Sequence, residues 1–271
     1  MLQNKKIGII GCGNMGEAIF RRLSTVLEKS TSLMVSEMNA ARRDEIRGKY
    51  KIIVEIDNNT VVKYCDAVIL AVKPQDIEAV LKEAICCGAS ADKLIISIAA
   101  GITTKFIEGI IGKDVPVIRA MPNMPAVVGS AVTAVSGGSA AAQKDLDLAR
   151  DIFGTIGDVV VVDEKQMDVV TAISGSGPAY FFYFIEALAE AAVKLGLDRK
   201  TAEELAVKTA IGSAKLLEEM KDDPGALRKR VTSKGGTTEA ALKVFEAKGL
   251  AKMVEEAAAA ACKRSKELSG G

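Results

Sequence analysis

The chain has 271 residues, 36 basic against 35 acidic side chains, a net charge near +1, and 49% hydrophobic residues. That balance is the one expected of a soluble globular protein with one large or two modest domains, with no basic face for nucleic acid or an anionic membrane. Histidine is absent. This excludes a histidine acid, base or metal ligand, and with it the usual 2-hydroxy-acid dehydrogenases and most zinc enzymes.

No apolar run approaches the ~18 residues needed to cross a bilayer. The opening MLQNKKIGIIGCG reads as a strand running into a glycine turn, not as a signal peptide. Cys12, Cys65, Cys86, Cys87 and Cys262 form no C-x-x-C pair and read as buried thiols of a reducing compartment, without disulfide or metal. A cytoplasmic protein is expected, with no membrane, nucleic-acid or metal partner.

Up to residue 163, short runs of Ile and Val alternate with amphipathic stretches. The strands expected are Lys6–Ile10, Leu33–Glu37, Ile52–Val54, Ala67–Val72, Leu94–Ile98, Val115–Arg119, Ala131–Val135 and Val159–Val162, with helices at Gly16–Glu28, Gln75–Cys86, Thr103–Ile110 and Ala141–Phe153. Near-continuous apolar strands between helices predict right-handed βαβ units and a mainly parallel, doubly wound α/β sheet. After Asp163 the strands stop and alanine-rich helices follow: Gly177–Leu195, a helix from Asp198 or Thr201 to about Met220, a short one after Pro224, Thr237–Lys248, and Leu250–Leu268. The domains expected are 1–163, a dinucleotide-binding unit, and 164–271, an all-helical unit. Tyr180 to Ile185 make the first long helix apolar nearly all round, so it should be buried in a core or against another subunit.

Gly11-Cys12-Gly13-Asn14-Met15-Gly16 follows the first strand and opens a helix. In that setting the first glycine permits the tight turn, the second admits the pyrophosphate, and the third lets helix and strand pack. Ser36-Glu37 ends the second strand about 20 residues further on, where an acid can hold the ribose diol of NAD. Arg42 and Arg43 follow closely and could meet the extra phosphate of NADP, so the choice between NADH and NADPH stays open. Ala71-Val72-Lys73-Pro74, Ala99-Ala100-Gly101 and Met121-Pro122-Asn123 end three further strands, where ligands collect in doubly wound sheets. In the helical half, Ser174-Gly175-Ser176 and Ser233-Lys234-Gly235-Gly236-Thr237-Thr238 each precede a helix. The second can present backbone N–H groups to a carboxylate, with the Thr238 hydroxyl beside it.

The run from Pro224 to Phe245, PGALRKRVTSKGGTTEAALKVF, resembles the signature of the pyrroline-5-carboxylate reductases. IGIIGCGNMGEAI, AVKP at 71–74, SIAAG at 97–101, RAMPNMP at 119–125 and SGSGPAY at 174–180 agree with it in order. The resemblance implies an NAD(P)H-dependent reductase that converts 1-pyrroline-5-carboxylate to L-proline, the last step of proline biosynthesis. It also implies a Rossmann domain followed by an all-α domain that forms a homodimer through its helices, often assembled further into a decamer. Carried over, the substrate would be held by Ser176, Ser233, Gly235, Gly236, Thr237 and Thr238, with Thr238 as the catalytic residue beside the ring nitrogen. The cofactor would be lined by Gly11 to Gly16, Ser36, Glu37, Asn58, Ala71 to Pro74 (including Val72 and Lys73), Ala99, Ala100, Met121 and Asn123. Lys234 stands where many relatives have proline, and Glu37 departs from the small or basic residues of NADPH-preferring relatives. A β-hydroxyacid dehydrogenase would need a lysine early on the helix at 177, whereas the first lysine there is Lys194.

Overall fold

The computed structural model describes residues 2–27, 32–50, 52, 54–85, 90–112 and 114–268. It divides into two compact units, Met1–Ser176 with Ala261–Gly271, and Gly177–Ala260.

The first unit is built on seven strands: β1 (Ile7–Ile10), β2 (Leu33–Ser36), β3 (Ala67–Leu70), β4 (Leu94–Ser97), β5 (Val117–Met121), β6 (Ala131–Gly137) and β7 (Gly157–Val161). Their order in the sheet is β2-β1-β3-β4-β5-β6-β7, parallel throughout except for the antiparallel β5–β6 pair. Helices α1 (Asn14–Val26), α2 (Ala40–Tyr50), α3 (Asn58–Tyr64), α4 (Ile77–Ile85), α5 (Thr104–Ile111) and α6 (Gln143–Gly154) connect them, followed by the short α7 (Met167–Val170). β1, β3 and β4 are fully buried along their lengths, which is why their Ile and Val runs show no alternation. The edge strand β7 differs: Val160 and Val161 are exposed. The expected strand at 52–54 includes residue 53, which lies outside the described residues; Glu55 makes a single parallel bridge to Ser36. Residues 86 and 87 also lie outside them, so the predicted end of α4 and two of the cysteines have no counterpart here.

Register fixes where a ligand can meet this sheet. Ile10 pairs with both Ser36 and Leu70, and Leu70 pairs with Ser97, so four carboxyl ends lie on one line. The chain changes direction across the sheet at β1, flanked by β2 on one side and β3 on the other. Such a reversal opens the crevice in which doubly wound sheets bind ligands.

The second unit holds α8 (Gly177–Lys194), α9 (Arg199–Met220), α10 (Pro224–Arg230), α11 (Thr237–Ala247) and most of α12 (Leu250–Leu268). Side-chain caps start the first two connections: Asp198 accepts from the Thr201 N–H at 3.0 Å, and Asp223 from the Ala226 N–H at 2.9 Å. α8 and α9 pack through small residues, with Ala189, Ala202 and Ala206 buried. Within this chain the aromatic run of α8 is open: Phe181 is 72% exposed and Tyr183 73%. Phe184 is the aromatic of that run that meets Phe245 of α11, with ring centroids 6.3 Å apart. The last residues of α12 cluster with the first unit, where the Ser265 hydroxyl donates to Asp168 at 2.7 Å.

Candidate active site

The phosphate loop is shaped by what its glycines exclude. Gly11 has φ +92°, and a Cβ there would lie 2.8 Å from the Ala71 carbonyl oxygen and from a Val72 methyl carbon. A Cβ on Gly16 would lie 2.2 Å from the Gly11 carbonyl oxygen and 3.3 Å from the Ala71 side chain. Both positions are therefore closed to any side chain by the segment that leaves β3 and by the loop itself. Gly13 is the opposite case, with nothing within 4 Å of a Cβ. The open space over the middle glycine, at the N-terminus of α1, fits the pyrophosphate of a dinucleotide.

Glu37 closes this loop from the β2 side. Its two carboxylate oxygens accept from the N–H groups of Cys12 and Asn39, each at 2.8 Å, and the Gly11 N–H donates to the Ser36 carbonyl at 2.9 Å. Ser36 is fully buried and donates through Oγ to Asn58 Oδ1 at 2.7 Å, while Asn58 Nδ2 donates to Glu83 at 2.9 Å. Burial pushes the Cys12 thiol up to about 12, so it stays protonated and the residue enters the site through its backbone.

Glu17, which the sequence reading had not singled out, organises the outer wall. It accepts from Lys49 Nζ at 2.6 Å, from Tyr50 Oη at 2.7 Å and from Arg42. Burial alone would hinder its ionisation, but the Lys49, Tyr50 and Arg42 donors outweigh that and hold its carboxyl down at about 2. Arg42 is engaged at each of its three nitrogens: Nε donates to the Cys12 carbonyl at 2.7 Å, Nη1 meets Glu45 at 2.8 Å, and Nη2 meets Glu17. The sequence signal for Glu17 was its place in the first turn of α1, directly after Gly16.

Ala71 receives the chain from β3, its N–H donating to the Ile10 carbonyl at 2.8 Å, and Lys73 and Pro74 are exposed beyond it. Ala99 is buried, and Ala100 and Met121 are half-buried. Asn123 is buried and has both ends of its amide engaged, Nδ2 donating to the Ser174 carbonyl at 3.1 Å and Oδ1 accepting from the Val132 N–H at 3.0 Å. It ties the loop after β5 to a π-helical turn, Thr171–Gly175, that ends at Ser176. The Ser176 N–H closes that turn on the Thr171 carbonyl at 2.8 Å.

In the second unit, the turn before α11 is wound tightly. Gly235 has φ +73°, and its N–H donates to Glu239 Oε2 at 2.6 Å. The Gly236 N–H donates to the Ser233 carbonyl at 3.0 Å, and a Cβ on Gly236 would lie 2.4 Å from Ser233 Oγ. These two amides, expected from the sequence to face a ligand, are thus already engaged. The N–H groups of Thr237, Thr238 and Glu239, in the first turn of α11, have no acceptor among the described residues. The Thr238 hydroxyl is half-buried and has no hydrogen-bond partner among them either. A helix start with three open amides and an adjacent hydroxyl can receive a carboxylate.

A family model described as pyrroline-5-carboxylate reductase dimerisation matches residues 164–268, and one described as NADP oxidoreductase coenzyme F420-dependent matches residues 6–101. A pyrroline-5-carboxylate reductase of Synechocystis is 41% identical, covering 97% of this chain and 98% of that protein. The chain belongs to the pyrroline-5-carboxylate reductase family. The Pseudomonas aeruginosa member is 38% identical over 99% of this chain and 98% of its own. Among solved structures, that of the Coxiella burnetii pyrroline-5-carboxylate reductase aligns with a TM-score of 0.92 at 37% identity, covering 98% of each chain. That of a Plasmodium falciparum pyrroline carboxylate reductase with NADP bound aligns with a TM-score of 0.86 at 29% identity, over 98% of this chain and 99% of that one. Membership makes the chain an oxidoreductase with a nicotinamide cofactor and a small-molecule substrate, and one that self-associates.

Proposed function

We propose that the chain reduces 1-pyrroline-5-carboxylate to L-proline, with the dinucleotide held by the first unit and the substrate carboxylate by the start of α11. The observation that carries this reading is the set of open first-turn amides at Thr237, Thr238 and Glu239, an anion receptacle that uses no arginine. Gly11 to Gly16, Ser36, Glu37 and Asn58 form the dinucleotide end, and Ala71 to Pro74, Ala99, Ala100 and the 121–123 turn border the nicotinamide end. Gly235 and Gly236 shape the substrate turn, Ser233 and Ser176 add hydroxyls, and Thr238 fixes the ring nitrogen directly or through water.

The reduced nicotinamide, when bound, supplies the hydride. A protonated C=N is already electrophilic, so what the chain contributes is position: amides that hold the carboxylate and a hydroxyl that sets the ring. Orientation of this kind contributes roughly 7–11 kcal/mol in favourable cases. The absence of histidine is consistent with this division of labour. Residues 164–271 serve as the dimerisation and substrate domain, and the exposed Phe181 and Tyr183 face of α8 is the surface that a second copy covers, the dimer being the unit from which a decamer would be built. A cytoplasmic enzyme follows from the same reading. The test is oxidation of NADH and NADPH by purified protein with and without the imine. Imine-dependent oxidation that yields proline supports the reading, and cofactor binding without turnover overturns it.

A further inference from the structure

We infer that Asn123 is a positioning residue: it fixes the π-helical turn that carries Ser176, and through that serine it sets how the substrate sits at the nicotinamide end. The inference rests on the substrate role proposed above for Ser176. Asn123 is buried, and one orientation of its amide satisfies both neighbours. Oδ1 accepts the Val132 N–H at 3.0 Å, and Nδ2 donates to the Ser174 carbonyl at 3.1 Å. Both ends of the amide are therefore engaged within the protein, and the 121–123 turn borders a ligand without them.

Thr171–Gly175 is a single π-helical turn, closed by the Ser176 N–H on the Thr171 carbonyl at 2.8 Å. Turns of this kind are rare and recur at functional sites. Two of its hydroxyls turn back on the chain, Thr171 Oγ1 donating to the Met167 carbonyl at 2.8 Å and Ser174 Oγ to the Val170 carbonyl at 3.0 Å. Ser176 differs: it is half-buried, and its hydroxyl has no hydrogen-bond partner among the described residues. Gly175 lies against Met121, where a Cβ would be 2.8 Å from Met121 Cε. Further back on the same segment, Glu164 accepts the Thr104 N–H at 2.7 Å and the Thr104 hydroxyl at 2.6 Å, at the end of the loop that carries Ala99 and Ala100. Residues 164–176 are thus anchored on both loops at the nicotinamide end, the one after β4 through Glu164 and the one after β5 through Asn123. Of these two anchors Asn123 is the one that grips the turn beside Ser176.

The test measures KM for pyrroline-5-carboxylate, and the Kd of NADH and of NADPH by fluorescence titration without imine, in Asn123→Asp, Ser176→Ala and the double variant. Asn123→Asp keeps the acceptor for the Val132 N–H but sets an oxygen against the Ser174 carbonyl. It should raise KM for the imine about tenfold or more, as Ser176→Ala should, the effect of losing one hydrogen bond to a charged group. Both cofactor Kd values should stay within about twofold of the wild type. The double variant should be no worse than the poorer single one, because both changes remove the same contact. Weakened cofactor binding in Asn123→Asp, or losses that add in the double variant, would overturn the inference. Should Asn123→Asp fail to fold, Asn123→Ser, whose side chain is too short to reach both partners, is read in the same way. An unchanged KM in Ser176→Ala would overturn the substrate role of Ser176 and this inference with it. A raised KM there beside an unchanged KM in Asn123→Asp would overturn this inference alone.

Discussion

The Glu37 carboxylate accepts the Cys12 N–H at 2.8 Å, so the end of β2 and the phosphate loop are held as one piece. The wall behind that piece is Glu17, whose carboxylate gathers Lys49, Tyr50 and Arg42 onto the first turn of α1. The loop and its outer wall therefore share one hydrogen-bonded network, joined at the Cys12 backbone.

That network gives the first prediction. Glu17 has a folded-state pKa of about 2 against an ordinary 4.5, so its stabilisation is present above the unfolded value and is lost as pH falls from about 4.5 to about 2. Glu17→Gln should lower stability by roughly 1–3 kcal/mol at pH 7. The gap between variant and wild type, read as urea midpoints, should close toward pH 2.5; a gap independent of pH would contradict the role given to this carboxylate.

The glycines of the loop separate folding from binding. A Cβ on Gly16 meets the Gly11 carbonyl, so Gly16→Ala should lower stability by about 1–3 kcal/mol. Gly13 has open space and an ordinary φ of −68°, so Gly13→Ala should melt like the wild type. It should nevertheless weaken dinucleotide binding by roughly tenfold or more, about 1.4 kcal/mol. Unchanged cofactor affinity in Gly13→Ala would show that the space is not the pyrophosphate's.

At the substrate end, Thr238→Ala should reduce kcat/KM for the imine by about 10- to 100-fold, the range of one hydrogen bond to a charged group. Its melting temperature should stay close to that of the wild type, since the hydroxyl has no partner among the described residues. Thr238→Ser should recover most of the loss. If Ala and Ser variants behave alike, the hydroxyl is not what Thr238 contributes.

Gly235 stands in the left-handed region at φ +73°, where a side chain costs about 1–2 kcal/mol. Gly235→Ala should distort the turn that aims the α11 amides and raise KM for the imine several-fold. The KM for NADH should not move, and a change in both would point to a global effect instead.

The exposed aromatics of α8 predict an obligatory contact with a second copy. Phe181→Glu should shift the protein toward single chains in light scattering at micromolar concentration, whereas Lys194→Glu at the far end of the same helix should not. A dimer unaffected by Phe181→Glu would place the interface elsewhere.

Much of the first unit was legible because buried parallel strands need continuous apolar runs, and Ile7–Ile10, Ala67–Leu70 and Leu94–Ser97 supply them. The loop at 11–16 was legible for a similar reason, since Gly11 and Gly16 answer steric demands implied by the pattern. α2 was harder to read: it is polar nearly throughout, and Ile46 is its one buried residue. The engagement of the Gly235 and Gly236 amides was not legible either, because it depends on Glu239 reaching back and on Ser233 closing over the turn. Nor could spacing show that Arg42 is held by Glu17 and Glu45. Pairings between side chains of different elements leave no periodic trace in a sequence.

The most direct test of the central claim follows hydride itself. Reduced cofactor carrying deuterium at the transferable nicotinamide position is incubated with the protein and 1-pyrroline-5-carboxylate, and the product is read by mass spectrometry. The expected product is L-proline with a single deuterium at the former imine carbon, formed at the rate the cofactor is oxidised. Cofactor oxidation without labelled proline, or none that depends on the imine, would contradict it.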